Sequence, residues 1–261
     1  MSFEYAGSLV GGASVTRTLQ IGETVYTGQL LQSNLVGGTG AAVQIADVAS
    51  EAHENDQPIV GIATGCHLVN DAGWNSTYYG DTCTYDTTTT AQQANDPVGP
   101  AEVECTYIIP NITLVRAPIY NAAYGTALTE MVITTANAAG TTVTHANDAI
   151  TDIADDLSTI YCREGASRGH YRVNTTSTST TAQAVTIAFP YGLAVGDKMV
   201  CASCVLGVGG LDIPSSANCI DGNNDMDAYY DVFYHQLNLE ESGKEFAVLA
   251  FASKACEALT A

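Results

Sequence analysis

The stretch from Gly22 to Gly65 reads as three short extended runs cut by glycine-rich and polar turns. Val25 and Thr27 flank Tyr26, Val43 and Ile45 flank Gln44, and Val60 and Ile62 flank Gly61. Side chains two apart share one face of a strand, so each run can bury one side and wet the other. Gly37-Gly38-Thr39-Gly40 gives the backbone freedom to turn between the first two runs, and Asn55-Asp56-Gln57-Pro58 punctuates the approach to the third. The stretch predicts a small β unit that packs a core and presents a surface. Its residues do not make a phosphate cradle, a metal cage or an activated nucleophile.

The pattern recurs along the chain. Val15–Leu19, Val103–Ile109 and Leu114–Ala117 read as strands, with Pro110 and Pro118 as breaks. Residues 66 to 100 lose the apolar signal and read as a long exposed excursion carrying Trp74, Tyr78, Tyr79 and Tyr85. Beyond Asn121, strands are expected around Met131–Ile133, Thr141–His145, Tyr171–Thr176, Val185–Phe189, Met199–Leu206, Tyr230–Tyr234 and Phe246–Ala250, with a turn at Ala138-Ala139-Gly140. One helical template intervenes. Ile150, Ile153, Ala154 and Leu157 stand at i, i+3, i+4 and i+7, with Asn147 or Asp148 to cap them. Asp155 and Asp156 oppose the dipole at its end, so the helix is short. The fold class expected is all-β, mainly antiparallel, in small barrel-like or sandwich-like units with one short helix. Two domains follow: 1–120, with the excursion, and 121–261.

Charge narrows the partners. Eight Lys and Arg against 28 Asp and Glu give a net charge of −20. Such a surface repels phosphate backbones, which argues against nucleic acid. No apolar run reaches the roughly 18 residues of a membrane helix, and Met1–Tyr5 lacks the basic and apolar parts of a secretion leader. The eight cysteines are therefore expected to be reduced and buried rather than a disulfide frame. On the same ground, the sequons at Asn75, Asn111 and Asn174 carry no expected role.

Several short patterns bear on chemistry. Gly165-Ala166-Ser167-Arg168-Gly169 matches the G-x-S-x-G elbow of serine hydrolases, and His170 follows it. The elbow needs a helix after the serine, whereas Tyr171–Thr176 reads as a strand, so a glycine-flanked hairpin turn is expected. Asp221, Asn223 and Asp225 have the 1-3-5 spacing of a calcium loop, but Met226 replaces the required glycine and Val232 the closing glutamate. Cys201 and Cys204 form a lone C-x-x-C; with Cys219 they still lack a fourth zinc ligand, and an extended backbone points them to opposite faces. His53, His67, His145 and His235 show no metal spacing. Neither catalytic residues, a metal nor another cofactor is expected. Arg163, Arg168 and Arg172 gather three of the eight cations within ten residues. Their planar forks suit carboxylates, either on a neighbouring subunit or within the chain.

The order Val25-Tyr-Thr-Gly28-Gln-Leu30-Leu31, Val43-Gln-Ile45-Ala46, Pro58-Ile-Val60-Gly61-Ile62-Ala63 resembles that of tailed-phage capsid decoration (cement) and head-surface proteins. Ile160–Gly165, Gly169–Arg172, Phe189-Pro190 and Val195–Asp197 also look like segments of phage virion proteins. The resemblance implies a non-enzymatic virion protein on the outer capsid surface, assembled in the host cytoplasm. It would be a homotrimer whose partner is the major capsid protein, with neither membrane nor nucleic acid involved. A different class remains open: a secreted or surface-exposed carbohydrate-binding module that stacks sugars on Trp74, Tyr78, Tyr79 and Tyr85. A serine hydrolase using Ser167 is the third reading.

Overall fold

The computed structural model describes residues 3–11, 16–20, 25–33, 43–46, 58–68, 78–80, 82–83, 102–121, 125–146, 158–179, 181–209, 211, 219–222 and 231–253. Every named element among them is a strand, and the chain is all-β with mainly antiparallel pairing. The expected helix at 150–157 lies outside the described residues. Two compact units emerge, Met1–Arg116 with Ser215–Asn218 and Ala250–Ala261, and Ala117–Pro214 with Cys219–Leu249. The division expected between residues 120 and 121 lies just past the first break, and the chain's last stretch returns to the first unit.

The first unit contains β1 (Glu4–Ser8), β2 (Thr16–Gln20), β3 (Val25–Tyr26), β4 (Leu30–Ser33), β5 (Val43–Ile45), β6 (Ile59–Leu68), β7 (Tyr78–Gly80), β8 (Thr82–Cys83) and β9 (Glu102–Tyr107). The order β2-β9-β6-β4-β5 forms one antiparallel sheet, with β7 also paired to β6. Two of the three runs of the opening stretch, Val43–Ile45 and Val60–Ile62, flank β4, where Leu31 faces Ile45 on β5 and Gly61 on β6, whereas the first run, Val25–Tyr26, pairs with β8 in a separate two-stranded sheet. Val25, Leu31, Val43, Ala63, Val103 and Cys105 bury together as its core. Within the stretch read as an exposed excursion, β6 runs on to Leu68, Tyr78–Gly80 pairs back on it and Thr82–Cys83 forms β8, while residues 69–77, 81 and 84–100 lie outside the described residues. The β-forming Tyr78-Tyr79 pair was the available signal, hidden by polar flanks.

Strand β10 (Thr113–Tyr120) passes through Pro118, where a break was expected. Its pairing with β1 covers Thr113–Arg116 and its parallel pairing with β18 (Ile220–Asp221) covers Ile119–Tyr120. Pro118 falls outside these two registers, so its missing N–H costs neither the β1 nor the β18 pairing a bond.

The second unit is built on a six-stranded sheet in the order β11-β16-β13-β14-β15-β12. These are Glu130–Val132, Lys198–Ala202, Ser158–Glu164, Tyr171–Ser179, Ala182–Val185 and Thr142–Thr144 respectively. Just beyond the two end strands Ile133 bridges His145, and Thr134 N–H donates to Thr144 O at 2.9 Å. The sheet therefore curls until its edges meet at one end, which removes unpaired backbone there. Met131, Ile133, Val143, Ile160, Cys162, Val185, Phe189, Leu193, Met199 and Cys201 fill the interior. Along β15 burial alternates, with Gln183 and Val185 inside and Ala182 and Ala184 less covered. Strands β13 and β16 are buried on both faces instead. The strands β17 (Gly207–Gly209), β19 (Val232–Asn238) and β20 (Phe246–Phe251) follow. Thr159 Oγ1 on β13 donates to Cys204 O, past the end of β16, at 2.6 Å, and Tyr171 Oη on β14 donates to Leu237 O on β19 at 3.0 Å. Of the expected strand Val185–Phe189 only Val185 is extended in the sheet, as the last residue of β15. After Val185 the chain leaves the sheet, Ile187 turns to solvent and Phe189 drops into the core.

Candidate interaction surface

The β13–β14 hairpin carries all three clustered arginines, and it separates them. Arg163, near the end of β13, is 6% exposed. Its Nε donates to Leu239 O at 2.9 Å, and its Nη2 meets the carboxylate of Glu245, which is 0% exposed. The Glu130 carboxylate stands 3.8 Å from Nη1, and Lys198 links Glu130 to Glu164 at 3.8 and 2.8 Å. A chain short of cations thus places two of them in one network. Arg163 is engaged inside its own unit and offers no face to a neighbour.

Arg168 and Arg172 differ. Arg168 is exposed and 3.4 Å from Glu240. Arg172 donates Nε to Ala188 O at 2.8 Å and Nη1 to Tyr171 O at 2.6 Å, and its guanidinium lies 5.3 Å from the Phe189 ring centre. Among the described residues it has no carboxylate partner, whereas the side chains of Arg116, Arg163, Arg168, Lys198 and Lys244 all have one.

Gly165–Gly169 is the hairpin turn itself, since β13 and β14 pair antiparallel across it. Ser167 is buried there, its Oγ donating to Gly192 O at 3.0 Å and accepting Tyr191 N–H at 3.3 Å. The hydroxyl staples the turn to the Phe189–Leu193 loop and is not presented to a substrate. The same loop is held from below: Phe189 N–H donates to Gly140 O, and Leu193 N–H and Asn137 N–H reach each other's carbonyls, all at 2.9 Å. Tyr191 rides on this clamped backbone, 70% exposed, with its ring 6.0 Å from that of His170. Ile187, 68% exposed, lies between Thr186, bonded to Val173, and Ala188, bonded to Arg172. Sequence reasoning saw the arginines but missed Ile187 and Tyr191, because nothing local distinguishes them from core residues.

The other candidates fall as follows. Cys201 Sγ lies 3.3 Å from Ser158 Oγ inside the curled sheet, and Cys204 lies past the strand end, hydrogen-bonded to Tyr234. With Cys105, Cys162 and Cys219 they are buried free thiols. Among the described residues no group of three or more His, Cys, Asp or Glu could hold a metal ion. Asp221 is buried at the end of β18, while the rest of its loop lies outside the described residues. His145 is buried with Nε2 at 2.8 Å from Gln183 Oε1, and the His235 ring packs at 4.7 Å on that of Phe233. Trp74 and Tyr85 lie outside the described residues, and Tyr78 and Tyr79 are placed by their backbone pairing in β7.

No family model, curated protein or solved structure matches the chain.

The thiols carry a pH signature. Burial pushes Cys105 and Cys204 up to about 12, and Cys162 and Cys201 up to about 11, from an ordinary 9.0. The folded state keeps these protons where the unfolded chain has lost them. Their contribution to stability is therefore complete below pH 9 and drains away as pH climbs above it, by up to about 1.4 kcal/mol per pH unit for each thiol. Urea midpoints should fall between pH 8 and pH 10, and Cys201→Ala should flatten that fall. A midpoint that holds steady over this range would contradict the burial of these groups.

Proposed function

We propose that the chain is a non-enzymatic structural protein of a virion, a capsid decoration protein that binds the outer shell and strengthens it through contacts between subunits. The observation carrying this reading is the opening unit. The residues that resemble decoration proteins, Val25–Ala63, supply β3 to β6, and Val25, Leu31, Val43 and Ala63 bury in one core. A net charge of −20 suits the solvent side of a shell and not the side facing packaged genome. Ser167, the residue a hydrolase would use, is tied into a turn by both of its hydrogen bonds.

Immunogold electron microscopy of phage particles from a lysate that contains the protein tests the reading. Label on the outside of filled heads is the expected result, with the purified protein adding back to heads stripped of it. Absence from particles, or turnover of a substrate by the purified protein, would reject it.

A further inference from the structure

We infer that the face formed by Arg168, His170, Arg172, Ile187 and Tyr191 is where a second copy of this chain docks. This rests on the proposed reading only in expecting self-assembly; the site itself is argued from its own geometry.

Three observations converge on it. Tyr191 and Ile187 are large apolar side chains left in water, yet the Tyr191 N–H is held by Ser167 and the residues around Ile187 by the bonds of Thr186 to Val173 and of Phe189 to Gly140. An aromatic side chain on a rigid loop docks with little ordering cost, and aromatic residues with arginine are the usual anchors of interfaces. Arg172 spends Nε and Nη1 on carbonyls and leaves Nη2 without a hydrogen-bond partner among the described residues, two positions after His170. Arg168, at the edge of the face, has a single exposed carboxylate 3.4 Å away.

Charge selects the occupant. With 28 acidic side chains against eight basic ones, two copies approaching at random repel each other. A face that carries arginines and exposed apolar groups is the place where that repulsion reverses, and a second copy brings the acidic surface it fits. Tyr191 and Ile187 would anchor the centre, with Arg168 and Arg172 taking carboxylates of the neighbour.

Sedimentation velocity on the full chain tests this, comparing wild type with Tyr191→Glu, Ile187→Asp and Arg168→Glu. Wild type should sediment as a multiple of the 27.2 kDa chain at micromolar concentration. Tyr191→Glu and Ile187→Asp should each weaken assembly at least about ten-fold, and Arg168→Glu less, because it lies at the rim. All three positions are exposed, so unchanged thermal unfolding of a monomeric variant excludes misfolding as the cause. A monomeric wild type, or an oligomer indifferent to both central substitutions, overturns the inference. Particle binding separates it from the functional reading. If Tyr191→Glu stays oligomeric while the wild type coats shells, this surface is wrong and the reading stands. If wild type assembles through the face but never binds shells, the reverse holds.

Discussion

Replacing Arg163 by Met should cost about 3–5 kcal/mol, the range expected when one partner of a buried ion pair is removed. The loss would come from Glu245 and not from the arginine itself. Glu245 is 0% exposed just before β20, and Arg163 Nη2 is the donor to its Oε1. Without the guanidinium, a carboxylate is left in an apolar interior with no route to water. The pair is also imperfect as it stands: Arg163 Nη1 and Glu245 Oε2 are both buried without a hydrogen-bond partner. The desolvation of two charges is then only partly offset by their attraction. The double variant Arg163→Met/Glu245→Leu should consequently recover at least half of what the single variant loses, with Leu239 O remaining short of its 2.9 Å donor. Urea unfolding of the two singles and the double gives the coupling directly. A single-variant loss under about 1 kcal/mol, the size typical of exposed pairs, would mean that Glu245 finds water in solution. A double no better than Arg163→Met would mean that packing, not charge, fixes β20 against β13.

Why this network escaped a reading of the sequence is instructive. Arg163, Arg168 and Arg172 look alike on paper, and the spacing of charges says nothing about which one faces inward. On β13 the alternation that usually tells inside from outside is lost, because Ser158 to Arg163 are buried on both faces. Ile160 and Cys162 fill the curled sheet while Thr159 and Arg163 bond the carbonyls of Cys204 and Leu239, 45 and 76 residues later. Where only one face is covered, as on β12, the period-two signal and the structure agree. The runs that became β3, β5 and β6 were legible for a related reason, because glycine and polar turns bounded each of them, whereas β4, between β3 and the glycine-rich turn, was not read as a run of its own. Ile187 and Phe189 show the limit of the pattern. Their alternation with Val185 predicts one strand, but the hydrogen bond from Phe189 N to Gly140 O takes the chain out of the sheet, and that bond joins positions 49 residues apart. The turn at Gly165–Gly169 could be recognised because its glycines and the following strand are local features. That its serine would hold the neighbouring loop could not, since the acceptor Gly192 is 25 residues away.

Gly140→Ala should destabilise the second unit by more than about 2 kcal/mol, while Gly169→Ala should cost only about 1 kcal/mol, the price of a left-handed conformation for an L side chain. The two glycines are matched in backbone: φ is +65° at Gly140 and +87° at Gly169. They differ in surroundings. A β-carbon at Gly169 would meet nothing within 4 Å, whereas one at Gly140 would lie 2.4 Å from Phe189 O and 2.9 Å from Phe189 N. Backbone atoms cannot rotate aside, so the alanine must push the Phe189 segment away and break the 2.9 Å hydrogen bond from Phe189 N to Gly140 O. Phe189 belongs to the interior cluster and lies under the Arg172 guanidinium, and its loop carries Tyr191. The damage should therefore travel from a turn to the core and on to the exposed face. Thermal and urea unfolding of the two variants measure the difference. Sedimentation of Gly140→Ala below its unfolding midpoint should show weakened assembly even though neither residue 140 nor its new methyl lies on the proposed docking face. Equal stability losses for the two alanines would show that the Phe189 loop yields easily, and a yielding loop could not hold Tyr191 in the preorganised position that self-docking requires.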